Sequence, residues 1–182
     1  MVKNKPLPIL RSLVLALLSL LWLQPQAAQA YDKLYESGRY RVLKSGGECG
    51  LEISFYGSDL DKKSAKKLKV KPKNLMGYLM IYRDTRYYAA LFSHKRWFTA
   101  QPSNIKIYFD KKRYKGLSPA QPKPESDANW RWSFMDPADD TIRKIRKGHS
   151  MGVSFQVAGK SYRFNHTLKG SSKAVRALKR CR

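Results

Sequence analysis

The chain has 182 residues, with 37 Lys plus Arg against 13 Asp plus Glu and a formal net charge of +24. Hydrophobic residues make up 42% of it and aromatic residues 12%, so the composition excludes a disordered polycation. A charge of this size predicts attraction to anionic partners and repulsion between copies of the protein.

The first 30 residues have the organisation of a cleavable secretory signal peptide. An apolar run covers 13–23, and the small-x-small sequence Ala28-Gln29-Ala30 predicts cleavage before Tyr31. An uncleaved N-terminal anchor is the alternative. The run is shorter than the roughly 20 residues that cross a bilayer, and no second run follows, so we expect no integral membrane protein. The basic residues before the run are Lys3, Lys5 and Arg11.

The predicted mature protein, residues 31–182, is long enough for one domain with its own core. It keeps 34 of the basic residues and all 13 acidic ones. Export predicts that it is located in the periplasm, at the cell surface or outside the cell.

Eight segments show the alternation of apolar and polar residues that is typical of strands with one buried face. They predict a mainly β fold, an antiparallel β-sandwich or barrel-like domain. Hairpin turns are expected at 83–86 and 158–160. The predicted strands are Gly38–Lys44, Cys49–Phe55, Gly77–Tyr82, Tyr87–Phe92, Ile105–Phe109, Trp130–Phe134, Met151–Val157 and Tyr162–Leu168.

Two short helices are predicted, the second at the C-terminus. The first begins with Asp136 as N-cap and Pro137 in the first turn, and ends before Gly148. The second begins at Ser172. Their apolar faces hold Ala138, Ile142 and Ile145 in the first helix, and Ala174, Ala177, Leu178 and Cys181 in the second.

The chain has two cysteines, Cys49 and Cys181. The strand periodicity points Cys49 inward and the helix periodicity points Cys181 inward, so both face the core. Because export leads to an oxidising compartment, we predict a disulfide between them. A reactive cysteine is the alternative, but neither has a C-x-x-C partner or an adjacent His.

The sequence gives no convincing catalytic or metal site. Gly148–Gly152 matches G-x-S-x-G, but Ser150 follows a predicted helix and begins a strand, the reverse of a nucleophile elbow. No Asp or Glu follows Asp140. The three histidines lack metal-ligand spacing, so we expect no enzyme, no metal ion and no other cofactor. They are His94, His149 and His166, and the last is expected to be a partly buried strand residue.

Clustered positive charge is the strongest functional signal. The clusters predict contact with anionic envelope polymers or lipid headgroups, although a surface selected only for solubility explains any single cluster equally well. A further cluster lies at 111–115, as Lys111, Lys112, Arg113 and Lys115. The predicted anion-binding residues are Lys62, Lys63, Lys66, Lys67, Lys69, Lys71 and Lys73 between strands, Arg143, Lys144 and Lys147 on the first helix, and Lys173, Arg176, Lys179 and Arg180 on the second.

The C-terminal third carries a family resemblance. It contains Ile142-Arg143-Lys144-Ile145-Arg146-Lys147-Gly148, then Met151 and Val153, then a run from Thr167-Leu168 through Gly170, Ser172, Ala174 and Ala177-Leu178 to Cys181. This pattern resembles the invasion-associated locus B family of exported proteobacterial proteins, more faintly across most of residues 36–181. The resemblance implies a shared fold, a periplasmic or outer-membrane location and, in some pathogens, a contribution to host-cell entry. The lysine-rich 62–73 segment and the short 158–160 hairpin depart from the family pattern.

Two other classes of function remain open. The chain could be a protein-interaction module or inhibitor that presents aromatic residues to a partner protein, or an enzyme that uses Ser150. Nucleic acid is located mainly outside this compartment, so we do not expect it as a partner, although aromatic residues beside basic ones could stack on bases. The aromatic residues considered for the protein partner are Tyr87, Tyr88, Trp97 and Trp132.

Overall fold

The computed structural model describes residues 32–83, 87–118, 123–124, 129–134 and 137–182. Tyr31–Arg182 forms one compact unit. Its described residues are mainly β, in two antiparallel sheets packed face to face, as predicted for a sandwich. Three helices accompany the sheets.

The larger sheet has seven strands and pairs neighbours along the chain for its first five. Its order is β1–β2–β3–β4–β5–β9–β8, and every pair is antiparallel. The strands are β1 (Asp32–Ser37), β2 (Tyr40–Ser45), β3 (Glu48–Tyr56), β4 (Leu75–Arg83), β5 (Tyr87–His94), β8 (Lys123–Pro124) and β9 (Asn129–Ser133).

The smaller sheet has the order β11–β10–β6–β7 and is also antiparallel. Its strands are β6 (Ser103–Phe109), β7 (Lys112–Tyr114), β10 (Ser150–Val157) and β11 (Lys160–Thr167). The predicted hairpin at 158–160 is present between β10 and β11. Ala158 and Gly159 have φ of 48° and 72°, as a two-residue type I′ turn requires.

The core lies between the two sheets and is rich in aromatic rings. Phe55 of β3 meets Phe164 of β11 with ring centroids 5.9 Å apart, and Trp132 of β9 stacks on Phe155 of β10 at 6.1 Å. These side chains are at most 3% exposed because the strand period of two turns every second residue inward. The alternation in the sequence therefore does specify which face of each strand is buried.

The helices are α1 (Lys62–Lys67), α2 (Asp139–Lys147) and α3 (Ser171–Arg180). Helix α2 buries Ile142 and Ile145 as predicted and ends at Gly148. Its predicted start was wrong, because the helix begins at Asp139. Ala138 precedes it as the N-cap, with φ of −90° and ψ of 15°, and its N–H donates to the Tyr87 carbonyl of β5 at 2.6 Å. Asp136 lies outside the described residues.

Helices α2 and α3 pack end to end through side-chain caps. Ser171 Oγ donates to the Ile145 carbonyl at 2.6 Å and Ser172 Oγ to the Arg146 carbonyl at 2.8 Å, which satisfies carbonyls that the end of α2 leaves without helical partners. At the other end of α3, the Arg83 guanidinium donates to its last carbonyls at 2.7–3.1 Å. Both ends of α3 are thus anchored.

The predicted disulfide is present. Cys49 of β3 bonds to Cys181 directly after α3, with Cα atoms 6.1 Å apart and a sequence separation of 132. Both side chains belong to the principal core, which explains why two separate periodicities pointed them to the same place. The bond fixes the C-terminal helix against an early strand.

Candidate anion-binding groove

A groove between the β6–β7 hairpin and α2 brings two of the basic clusters together. It has a volume of about 580 Å³. The β6–β7 turn is formed by Asp110 and Lys111, both in the left-handed region, so Lys112 begins β7 beside the end of α2. The cations that line the groove are Lys112, Arg113, Arg143, Lys144 and Lys147.

Asp110 is the acidic residue among those lining the groove, and main-chain groups engage its carboxylate. Oδ1 accepts hydrogen bonds from the N–H groups of His149 and Ser150 at 2.8 and 2.9 Å. These bonds hold the pKa of Asp110 below its usual range. Asp110 thereby ties the hairpin to the start of β10 and stays ionised, so one carboxylate faces the five cations that line the groove.

The cations of the groove differ in whether they form an ion pair, a cation–π contact or neither. Arg143 forms an ion pair with Asp140 in the first turn of its own helix, with Nε 3.0 Å from Oδ1. Lys144 Nζ lies 5.4 Å from the ring centroid of Tyr114. Within the described residues, Lys112, Arg113 and Lys147 form no ion pair. The groove therefore holds uncompensated positive charge next to an aromatic wall.

The lysine-rich 62–73 segment lies elsewhere. Its seven lysines are all exposed, while Ala65, Leu68 and Val70 pack against the core, so the segment is a folded one with a basic outer side. Lys67 meets Lys160 of the β10–β11 hairpin, and repulsion between the two ammonium groups lowers the pKa of Lys67. Lys160 was not predicted to join this cluster, because nothing local in the sequence connects 67 with 160.

The two basic regions lie at opposite ends of the smaller sheet. The groove adjoins Ser150, where β10 begins, and Lys160 follows Val157, where β10 ends. The seven steps between the eight residues of β10, at about 3.3 Å each, place these ends about 23 Å apart. The predicted lysine and helix clusters are therefore not one continuous site.

Helix α3 contributes a third region. Lys173, Arg176 and Arg180 line a groove of about 470 Å³ that β1 closes with Leu34 and Tyr35. Lys179 is exposed but is not among the residues that line it. Because β1 was not predicted as a strand, its position beside α3 was not predicted either.

The remaining candidates are placed as follows. Ser150 begins β10 directly after α2, as predicted, and within the described part of the chain no hydrogen bond joins its hydroxyl to the His149 ring. Among the described residues, no group of three or more His, Cys, Asp or Glu could hold a metal ion. In the same residues, no helix is long and apolar enough to span a bilayer.

The aromatic residues considered for a protein partner are mostly engaged inside the fold. Trp132 is 1% exposed and stacks in the core, so its predicted role at an interface is wrong. Trp97 is partly buried and donates its ring N–H to the Leu75 carbonyl at 2.9 Å. Tyr87 is partly buried against the core, and the Tyr88 side chain lies outside the described part. These positions leave no exposed aromatic cluster among the described residues.

A scan against protein-family models finds no match for this chain, and a search of curated proteins finds none either. The resemblance to the invasion-associated locus B family accordingly stays a prediction from the sequence.

Proposed function

We propose that the chain is an exported, non-enzymatic protein of the periplasm or cell envelope that binds anionic polymers or lipid headgroups through its basic surface. The groove between β7 and α2 carries the proposal, because five cations line one space there against a single carboxylate. The signal-like residues 1–30 support export. The sequence resemblance supports membership of the invasion-associated locus B family.

Electrostatics favours a multivalent anion in this groove. Each Lys or Arg near an anionic surface contributes about 1 kcal/mol, so the three cations without an ion pair supply about 3 kcal/mol, or roughly a hundredfold in affinity. A single small anion contacts fewer of them at once. Exposed charges are screened over about 10 Å at 0.1 M salt, so the attraction should weaken as salt rises.

The test uses residues 31–182 with purified lipopolysaccharide and with inorganic polyphosphate as probes. We expect binding that weakens steeply between low and physiological salt, and a loss of about a hundredfold in the variant K112Q/R113Q/K147Q. Lipopolysaccharide is an envelope polyanion, and polyphosphate is a soluble one without an apolar part.

The matched control is K62Q/K66Q/K73Q, which removes the same net charge from the lysine-rich 62–73 segment, outside the groove. We expect it to weaken binding by less than tenfold. Equal losses in the two triple variants would show that only net charge matters and would contradict the groove as a site. Absent or salt-independent binding would contradict the function itself.

Export has a separate test. The protein recovered from the periplasmic fraction of expressing cells should begin at Tyr31 by N-terminal sequencing. Recovery of the full chain from the cytoplasm would contradict it.

A further inference from the structure

Strand β1 forms an edge of the larger sheet and carries an unusual exposed side chain. Leu34 is 49% exposed. Among the described residues, no other large hydrophobic side chain is exposed. It lies where the β1–β2 register shifts between Lys33 and Tyr35, so a β-bulge turns it out of the regular pairing. The neighbouring Tyr35 instead packs against the core and fixes the strand in place.

Cations of α3 line the same groove as this leucine. Lys173, Arg176 and Arg180 recur at helical spacing on one face of α3 and line the same groove as Leu34. None of the three forms an ion pair within the described residues. On β1 itself, the Glu36 carboxylate pairs with Lys33 Nζ at 2.5 Å, which neutralises one of the two acidic residues of the strand.

An exposed apolar side chain next to a row of cations matches the interface of an anionic bilayer. Phosphates lie at the level of the cations, and the apolar boundary lies a few ångströms deeper, where a leucine is removed from water. A soluble polyanion satisfies the cations equally well but offers nothing to Leu34. The bulge that exposes Leu34 gives the face a feature that only the bilayer uses.

We propose that this β1–α3 face docks on anionic phospholipid bilayers, with Leu34 entering the headgroup boundary and the three cations of α3 binding lipid phosphates. The inference rests on the proposed function and deepens it, because it assigns the lipid part of that binding to one face. It leaves the groove between β7 and α2 to polymers in solution. The two surfaces are lined by different residues, so each can be changed alone.

The experiment measures sedimentation of residues 31–182 with vesicles of phosphatidylglycerol and phosphatidylcholine, and with vesicles of phosphatidylcholine alone. We expect binding to the anionic vesicles, about fivefold weaker in Leu34→Ala and about a hundredfold weaker in K173Q/R176Q/R180Q. Both variants should keep their affinity for inorganic polyphosphate. Thermal unfolding confirms that each variant is folded.

A second measurement reports depth. Brominated phosphatidylglycerol should quench the tryptophan fluorescence of Leu34→Trp more strongly than that of the parent protein. The native tryptophans occupy the same positions in both proteins. Unchanged quenching, or vesicle binding that Leu34→Ala leaves intact, overturns the docking face. If K112Q/R113Q/K147Q loses polyphosphate while Leu34→Ala binds vesicles like the parent, the proposed function stands and this inference fails. If the parent binds neither probe, the proposed function fails.

Discussion

His166 is a buried ionisable group whose neutral form the fold requires. It is 6% exposed in β11, and its ring lies edge-on to the Phe55 ring of β3 with the ring centroids 5.2 Å apart. Neither ring nitrogen has a hydrogen-bond partner in the described part of the chain. Burial lowers the pKa of His166 from 6.5 to about 4, with the Arg39 charge acting in the same direction and Asp59 opposing it.

The sign of the effect on stability follows from the two states. As pH falls through 6.5, the unfolded chain takes up a proton at this residue, while the folded chain stays neutral until about pH 4. The free energy of unfolding is therefore fully retained above pH 6.5 and falls as the pH approaches 4. The difference between the two pKa values corresponds to about 3 kcal/mol.

The perturbation is His166→Phe, which removes the titrating group and suits a site lined by aromatic rings. Urea unfolding at pH 7.5 and pH 4.5 should show the parent losing roughly 2–3 kcal/mol more than the variant. Carboxylates with lowered pKa, such as Asp110, titrate in both proteins, so the comparison cancels them. We expect His149→Phe, at an exposed position, to follow the parent. Equal losses in the parent and His166→Phe would refute the reasoning.

Three further predictions concern the fold. Replacing Cys49 and Cys181 with Ala should lower the free energy of unfolding by about 5 kcal/mol in the chain-entropy model, as urea titration can check; an unchanged midpoint would contradict a covalent constraint. Gly77→Ala should destabilise by about 1–3 kcal/mol, because its Cβ would lie 2.3 Å from the Phe92 carbonyl oxygen, and a parent-like melting temperature would count against that close approach. Ser171→Ala should cost about 1–2 kcal/mol by leaving a buried α2 carbonyl without its donor, whereas Ser171→Thr should recover part of that loss.

The strands of the core could be predicted because apolar side chains alternate along them with polar or small ones, even in β3, where both faces are buried. In β3, alternate residues from Cys49 to Phe55 face the other sheet, and the same rule located seven further strands to within a few residues. β1 was missed because nearly all of it is exposed, which removes the alternation from its sequence. β7 and β8 have three and two residues, too few to show a period.

Helix α1 was missed for a related reason. Its sequence Lys62–Lys67 contains one apolar residue, Ala65, and its start depends on Asp61, which accepts a hydrogen bond from the Ser64 N–H at 3.0 Å. A helix of six residues has little stability of its own, so tertiary contact decides whether it forms. Leu68 and Val70 contact the core and provide this tertiary stabilisation. A search for amphipathic helix patterns does not detect these contacts.

The candidate site was predictable only in its parts. The charge of 111–115 and of α2 is evident in the sequence, but their meeting depends on a tight turn at Asp110 and on its bonds to the start of β10. Asp110 directly follows a predicted strand and is a turn signal, which could have indicated the hairpin that carries Lys112 but not its position opposite α2. The approach of Lys160 to Lys67 is a long-range contact that local patterns do not encode.

The single disulfide also has a consequence for proteolysis. It closes a covalent ring that runs from Cys49 to Cys181 and includes α1, α2, α3 and nine of the eleven strands. A protease that cuts one peptide bond inside this ring produces two fragments that stay joined as one molecule. The nicked protein therefore migrates at full mass on a gel without reductant and separates into two bands only when the sulfur bridge is broken.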